Sequence, residues 1–402
     1  PTLIIRPGDR LKISVDNQLK QPTNLHVHGL HVSPDGNSDN VFVSIDPRSS
    51  FDYEYQLPPD HPPGVYWYHP HHHGTVADQV FGGLYGAIIV EDDEEIPVDR
   101  ERVMVVSDIT LDSGGSLVSP STMERMMGRE GELVLVNGAA KPDLKGRSGE
   151  RERWRIINAC TARYLALRLP EQRARVVGRD VGRLPRDMAL EDVVLAPGNR
   201  LDLVVDLSEG GSELIAMPVD RGGMMGQMMG GGPRPGGGGP VTLARLSVSA
   251  SGNRAVGEIP AGTAVRDLRD ADVDGRRSIT FQMGMGGMMG GGDGPMSFTF
   301  DGEEFDADRI DQQVGMDTVE EWTIGNDSPM DHPFHLHVWP MQLLEVDGQQ
   351  LSEPVWLDVV NVPARSQVKV RVAFEDFGGR TVYHCHILDH EDRGMMGTVL
   401  AS

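Results

Sequence analysis

The stretch from Tyr383 to Met396 reads YHCHILDHEDRGMM and packs three histidines, one cysteine and two methionines into fourteen residues. On a β-strand, alternate residues share a face. His384 and His386 therefore present two imidazoles together, while Cys385 between them points the other way and should serve a different metal. His390 and Met395 follow, and His332 stands three residues before His335 in HPFHLHVW. Two histidines, a thiolate and a weak thioether form the ligand set of a blue-copper electron-transfer centre. A zinc site would want several cysteines or a His-Glu-x-x-His helix, and the sequence has neither. The soft thiolate makes calcium a poor explanation.

Working outward, all fourteen histidines fall in two zones, His26–His73 and His332–His390, and none lies between. Histidines placed at random in surface loops would be scattered along the chain. Within the zones the pattern His-x-His occurs at His26/His28 in NLHVHGL, His69/His71 in WYHPHHHG, His335/His337 in HPFHLHVW and His384/His386 in YHCHIL. Four such pairs on strands make a site of eight imidazoles, a donor that suits copper, zinc, iron and nickel alike. Cys385 tips the choice to copper. The backbone between Cys385 and its neighbours is then a short covalent route from a mononuclear to a polynuclear centre.

The rest of the chain reads as all-β. Short apolar runs such as PGDRLKISVDNQL and EDVVLAPGNRLDLVVDL are bounded by turn residues, and glycine (49) and proline (27) are abundant. At 402 residues the length exceeds one core and suggests three domains. No apolar run reaches the ~20 residues of a membrane helix. A net charge of −23 argues against nucleic acid as a partner, because phosphate contacts need a basic face. The two cysteines, Cys160 and Cys385, cannot supply a disulfide framework.

With all four motifs in order and the likeness running along essentially the whole chain, the sequence resembles the multicopper oxidases, in particular their laccase-like and cuprous-oxidase branch. That resemblance implies three cupredoxin-like Greek-key β-barrel or sandwich domains and four coppers per chain. The type 1 copper would take His332, Cys385, His390 and axial Met395. The type 2 copper would take His26 and His335. One type 3 copper would take His28, His69 and His386, and the other His71, His337 and His384. His31, His61, His72 and His73 fall outside the ligand positions. The resemblance also implies an acid that relays protons to dioxygen, and Asp389 and Asp39 are the candidates. Two departures remove no ligand: valine stands between His26 and His28 where many relatives have an aromatic residue, and the third pair lacks its common following glycine.

The implied reaction couples one-electron oxidation of Cu(I), phenols or aromatic amines to reduction of dioxygen to water. A non-catalytic copper carrier of copper homeostasis is the alternative, although a carrier needs only the type 1 ligands. The expected domains are 1–92 and 277–402, which hold the ligands, and 94–252, which holds none. The acidic run EDDEEIP, from Glu91, reads as a solvated linker. The start at PTLIIRPGDR lacks a basic-plus-apolar leader and resembles a point one or two strands into the usual first domain, so a trimmed or truncated start is expected, with a periplasmic or extracellular location.

Three methionine clusters remain: Met123, Met126 and Met127; Met224, Met225, Met228 and Met229; and Met283, Met285, Met288 and Met289. Methionine often fills gaps in a core. The two glycine-rich clusters lack the apolar neighbours for that role. Their thioethers favour Cu(I), and the acidic surface attracts the same cation, so cuprous-ion recruitment is the expected role.

Overall fold

The computed structural model describes residues 1–191, 193–222, 239–250, 257–262, 266–284 and 297–402. Among them the architecture is all-β, in six sheets, with helices of at most six residues. No helix there is long and apolar enough to cross a membrane. Each sheet takes its strands from one stretch of the chain. The first stretch forms a sheet of Leu3–Ile5, Gly86–Val90, Gly64–His69 and His26–His28, joined by the hairpin Arg10–Asp16/Ser50–Gln56. The second supplies a six-stranded and a five-stranded sheet between Arg100 and Ser249, and the third supplies another such pair between Gly275 and Ala401.

Strands far apart in sequence lie side by side, as crossing connections require. Arg151–Asn158 pairs in parallel with Arg100–Ile109 and antiparallel with Arg200–Asp206. The period-2 pattern read from the sequence sets the faces. Along Gln367–Phe374, Val368, Val370, Val372 and Phe374 are buried, and they pack with Trp322, Ile324 and Phe281 in the third core. Each such side chain contributes about 1.5–3 kcal/mol relative to exposure. In the second core, Trp154 and Ile156 meet Leu201, Leu203 and Val205 from the neighbouring strand. Cys160 is a buried free thiol in that core.

The acidic run at Glu91 differs from the expectation of a solvated linker. Asp93, Glu94 and Glu95 are exposed, but Asp92 accepts from Arg153 Nη1 at 2.5 Å and from Arg183 Nη1 at 3.0 Å. Arg153 is itself buried against Asp202. The stretch that leaves the first sheets is thus tied to the second set by a buried charge network, because an arginine this deep needs carboxylate partners.

Candidate metal centre

Two hairpin-like pairings bring the histidines together. Strand His26–His28 runs antiparallel to Gly64–His69, which puts His26 opposite His69. Strand His332–Leu336 runs antiparallel to Gly379–Cys385, which puts His335 opposite His384 and Phe334 opposite Cys385. The eight imidazoles from the first and last stretches then meet in one buried cluster. His71 Nε2 and His337 Nε2 each lie 3.1 Å from His384 Nε2. His26 stacks on His337 with ring centroids 3.9 Å apart, and His28 stacks on His335 at 4.0 Å.

Sets of ring nitrogens within 4.8 Å of one another are His71/His337/His384, His26/His335/His337 and His26/His28/His69. The first matches a predicted trio, and the second contains the predicted pair His26/His335. His28 and His69 gather with His26, while His386 stands edge-on to both, at 4.9 and 5.6 Å between centroids.

The ring tautomers are fixed from outside the cluster. His69 Nδ1 meets the Pro70 carbonyl at 2.8 Å, and His335 Nδ1 meets that of Asp358 at 2.7 Å. A proton held at Nδ1 leaves the Nε2 lone pair for the interior. His26 Nε2, His69 Nε2, His335 Nε2 and both ring nitrogens of His28 and His386 have no hydrogen-bond partner. Buried polar atoms are almost always satisfied, so this concentration of orphaned nitrogens is what a set of inward-facing metal donors presents. Burial also depresses the pKa of these rings, to about 3 for His69 and His71 and about 4 for His384, so they stay neutral and able to ligate.

The second donor set lies on the opposite face of the Cys385 strand. His332 Nδ1 is 3.3 Å and His390 Nδ1 3.8 Å from Cys385 Sγ. Ser328 Oγ at 2.8 Å and the Met126 carbonyl at 3.0 Å engage the two Nε2 atoms, which turns both Nδ1 atoms to the sulfur. Phe281 stacks on His332, and Phe298 on His390. The Ile387 N–H donates to Sγ at 3.4 Å. Met395 is fully buried, and its carbonyl accepts from the Cys385 N–H at 3.0 Å. Burial raises the Cys385 pKa, so a thiolate here requires a cation beside it. Imidazole with thiolate is a donor set that copper fits.

The acids divide in a way the sequence did not disclose. Asp39 lies at the cluster, 2.9 Å from His26 Nδ1, and burial raises its pKa to about 8 against the Val27 N–H. Asp389 is engaged elsewhere: both its oxygens accept from Arg129, whose Nη1 also reaches Asp78. Glu391 takes the inner position, with Oε2 3.0 Å from His384 Nδ1 and Oε1 3.5 Å from His71 Nε2. Burial raises its pKa to about 7, opposed by His71. Asp389 and Glu391 share the short helix Leu388–Glu391, where two residues span ~200° of rotation and so face opposite ways. That rotation is the signal that separates them.

The remaining histidines have other partners. His31 binds the Val338 carbonyl and Asp376, His61 accepts from the His31 N–H, His72 meets Ser44, and His73 packs on Phe305. Met126 and Met127, on the helix Thr122–Met127, and Met283, at the end of a strand, pack against the third core. Met224, Met225, Met228, Met229, Met285, Met288 and Met289 lie outside the described residues.

Comparison with known proteins finds multicopper oxidases and laccases, and also the cell division protein FtsP of Dickeya dadantii, 28% identical over 100% of this chain and 83% of its own. Multicopper oxidase domain families match residues 1–95 and 273–402. The multicopper oxidase mco of Staphylococcus aureus is 29% identical over 99% of this chain and 81% of its own. The laccase of Bacillus subtilis is 26% identical over 98% of this chain and 83% of its own. A solved multicopper oxidase from Campylobacter jejuni, described as a metallo-oxidase, is 32% identical, covers 100% of this chain and 84% of its own, and superposes with a TM-score of 0.86. The paired histidines, the cysteine between two of them and these likenesses agree: the chain belongs to the multicopper oxidase family, an all-β, cupredoxin-type oxidoreductase that uses copper and dioxygen.

Proposed function

We propose that the chain holds four coppers and passes single electrons from a donor at the Cys385 set to dioxygen at the histidine cluster. The type 1 copper would be held by His332, Cys385, His390 and Met395. The type 2 copper would be held by His26 and His335, and the type 3 pair by His28, His69 and His386 and by His71, His337 and His384. The observation that carries this reading is Cys385 between His384 and His386: its sulfur meets His332 and His390 while its neighbours join the other rings. Bound copper would supply one-electron oxidation at the first set and four-electron reduction of dioxygen to water at the second.

The protein's own groups do the rest. Asp358 and Pro70 carbonyls orient the rings, and burial keeps water from competing for the nitrogens. Glu391, with a buried carboxylate that has no hydrogen bond of its own, is placed to hold a proton beside His384 and His71; Asp39 does the same beside His26. Proton delivery is therefore assigned to Glu391 and Asp39, with Asp389 as a structural partner of Arg129.

Cu(I) is the donor this reading favours over phenols and aromatic amines, in keeping with the metallo-oxidase from Campylobacter jejuni, the methionine clusters and the net charge of −23. The separate sheet sets support domains at 1–92, 94–252 and 277–402, and a periplasmic or extracellular location goes with this donor. Dioxygen uptake by the copper-loaded protein, with Cu(I) or a simple phenol at matched concentration and corrected for uncatalysed oxidation, tests the choice. Faster uptake with Cu(I) is expected. Faster uptake with phenol would make the chain a laccase, and no uptake with either would return the carrier reading.

A further inference from the structure

The middle of the chain has no histidine, yet it touches the histidine cluster. The turn Ala196–Arg200 reaches between the first and last stretches. At Gly198, with φ of 90°, a Cβ would lie 3.0 Å from the His386 ring and 3.1 Å from that of His28. A Cβ there would crowd both rings, and the left-handed φ favours glycine as well. Two residues later, Arg200 is completely buried. Its Nε donates to the Val65 carbonyl at 3.0 Å, and its Nη1 donates to the Gly198 carbonyl at 3.2 Å and to Asp358 Oδ1 at 2.5 Å. A Cβ at Gly29, beside His28, would lie 2.3 Å from both Arg200 Nη2 and Asp358 Oδ2, so the first stretch also makes room for this pair.

Asp358 is the other half of the arrangement. Its carbonyl fixes His335, and its free Oδ2 stands 3.6 Å from His28 Nε2 without a hydrogen-bond partner. His28, His335 and Asp358 together form a set of possible ligand atoms within 4.8 Å of one another. Asp358 is the carboxylate that falls within such a set, and the Arg200 guanidinium is the charge that holds its other oxygen. Resting on the copper-cluster reading above, we propose that Arg200 is a positioning residue that restrains Asp358 at the edge of the cluster and keeps its donors imidazole. The ligand-free middle domain would then control the metal site through one side chain. Removal of a group that orients metal ligands typically weakens metal retention or activity roughly 10- to 100-fold.

The test is the variant Arg200→Met, loaded with copper(II) sulfate beside the native protein. The readouts are copper per chain, the type 2 electron paramagnetic resonance signal and the blue type 1 absorbance. An altered type 2 signal with roughly 10- to 100-fold weaker retention of cluster copper, at unchanged blue absorbance, is expected. The double variant R200M/D358N, which lacks the Asp358 carboxylate, should recover the native signal. A native type 2 signal in R200M overturns the proposal, and so does parallel loss of both copper types in a folded protein. Should R200M fail to fold, the double variant decides: a native cluster signal supports the restraint, and a lost one overturns it. Absence of any type 2 signal in the native protein would instead sink the cluster reading.

Discussion

Oε2 of Glu391 lies 3.0 Å from Nδ1 of His384, yet that nitrogen meets the Cys385 carbonyl at the same distance, so the carboxylate stands beside the ring without sharing its hydrogen bond. A buried acid with both oxygens free has no structural task that a glutamine could not fill. Glu391→Gln should lower dioxygen turnover about 100-fold while copper content and blue colour stay native. Turnover within a few-fold of native would remove Glu391 from proton delivery.

Asp389 should respond differently. Asp389→Asn leaves Arg129 buried with one strong partner fewer, a loss of about 3 kcal/mol. The unfolding midpoint should fall, and turnover per folded, copper-loaded molecule should hold. A native midpoint with collapsed turnover would return Asp389 to the chemistry.

Cys385→Ser removes the thiolate but keeps the size of the side chain. Blue absorbance and turnover should both vanish, one copper per chain should be lost, and the far-ultraviolet circular dichroism should stay that of a β protein. Retained oxidase activity would break the electron route between the two donor sets.

Stripping copper should destabilise the fold, because the ring nitrogens that lack partners are then left in a dry interior. A ligand at 100 times its dissociation constant stabilises by about 2.7 kcal/mol. Chelated protein should therefore melt earlier than copper-loaded protein in calorimetry, and added copper(II) should reverse the shift. Equal midpoints would mean the rings are not held by metal.

Replacing Met224, Met225, Met228 and Met229 together by leucine should lower Cu(I) turnover and leave small organic donors unaffected. Leucine keeps bulk and loses the soft sulfur. Equal loss with both donors would end the recruitment idea.

What could be read in advance follows from the range of each interaction. Strand periodicity is local, so the spacing of His26/His28 and His384/His386, and the opposite face of Cys385, were plain in the sequence. The orientation of Asp389 and Glu391 depends on the rotation of one short helix against the sheet, and an acidic loop says nothing of that. Asp92 looked solvated because its neighbours are charged; its burial depends on Arg153 and Arg183, far along the chain. Gly198 and Arg200 were invisible for the same reason, since turn chemistry alone explains a Pro-Gly-Asn-Arg sequence and the rings they touch lie on strands distant in sequence.

The pairing of His26 with His69 at one end of the chain and of His335 with His384 at the other sets an order of events during synthesis. A chain made only through the first stretch carries four of the eight rings, His26, His28, His69 and His71. The eight rings come together only after the strand carrying His384 has docked, so the full donor set belongs to the folded chain.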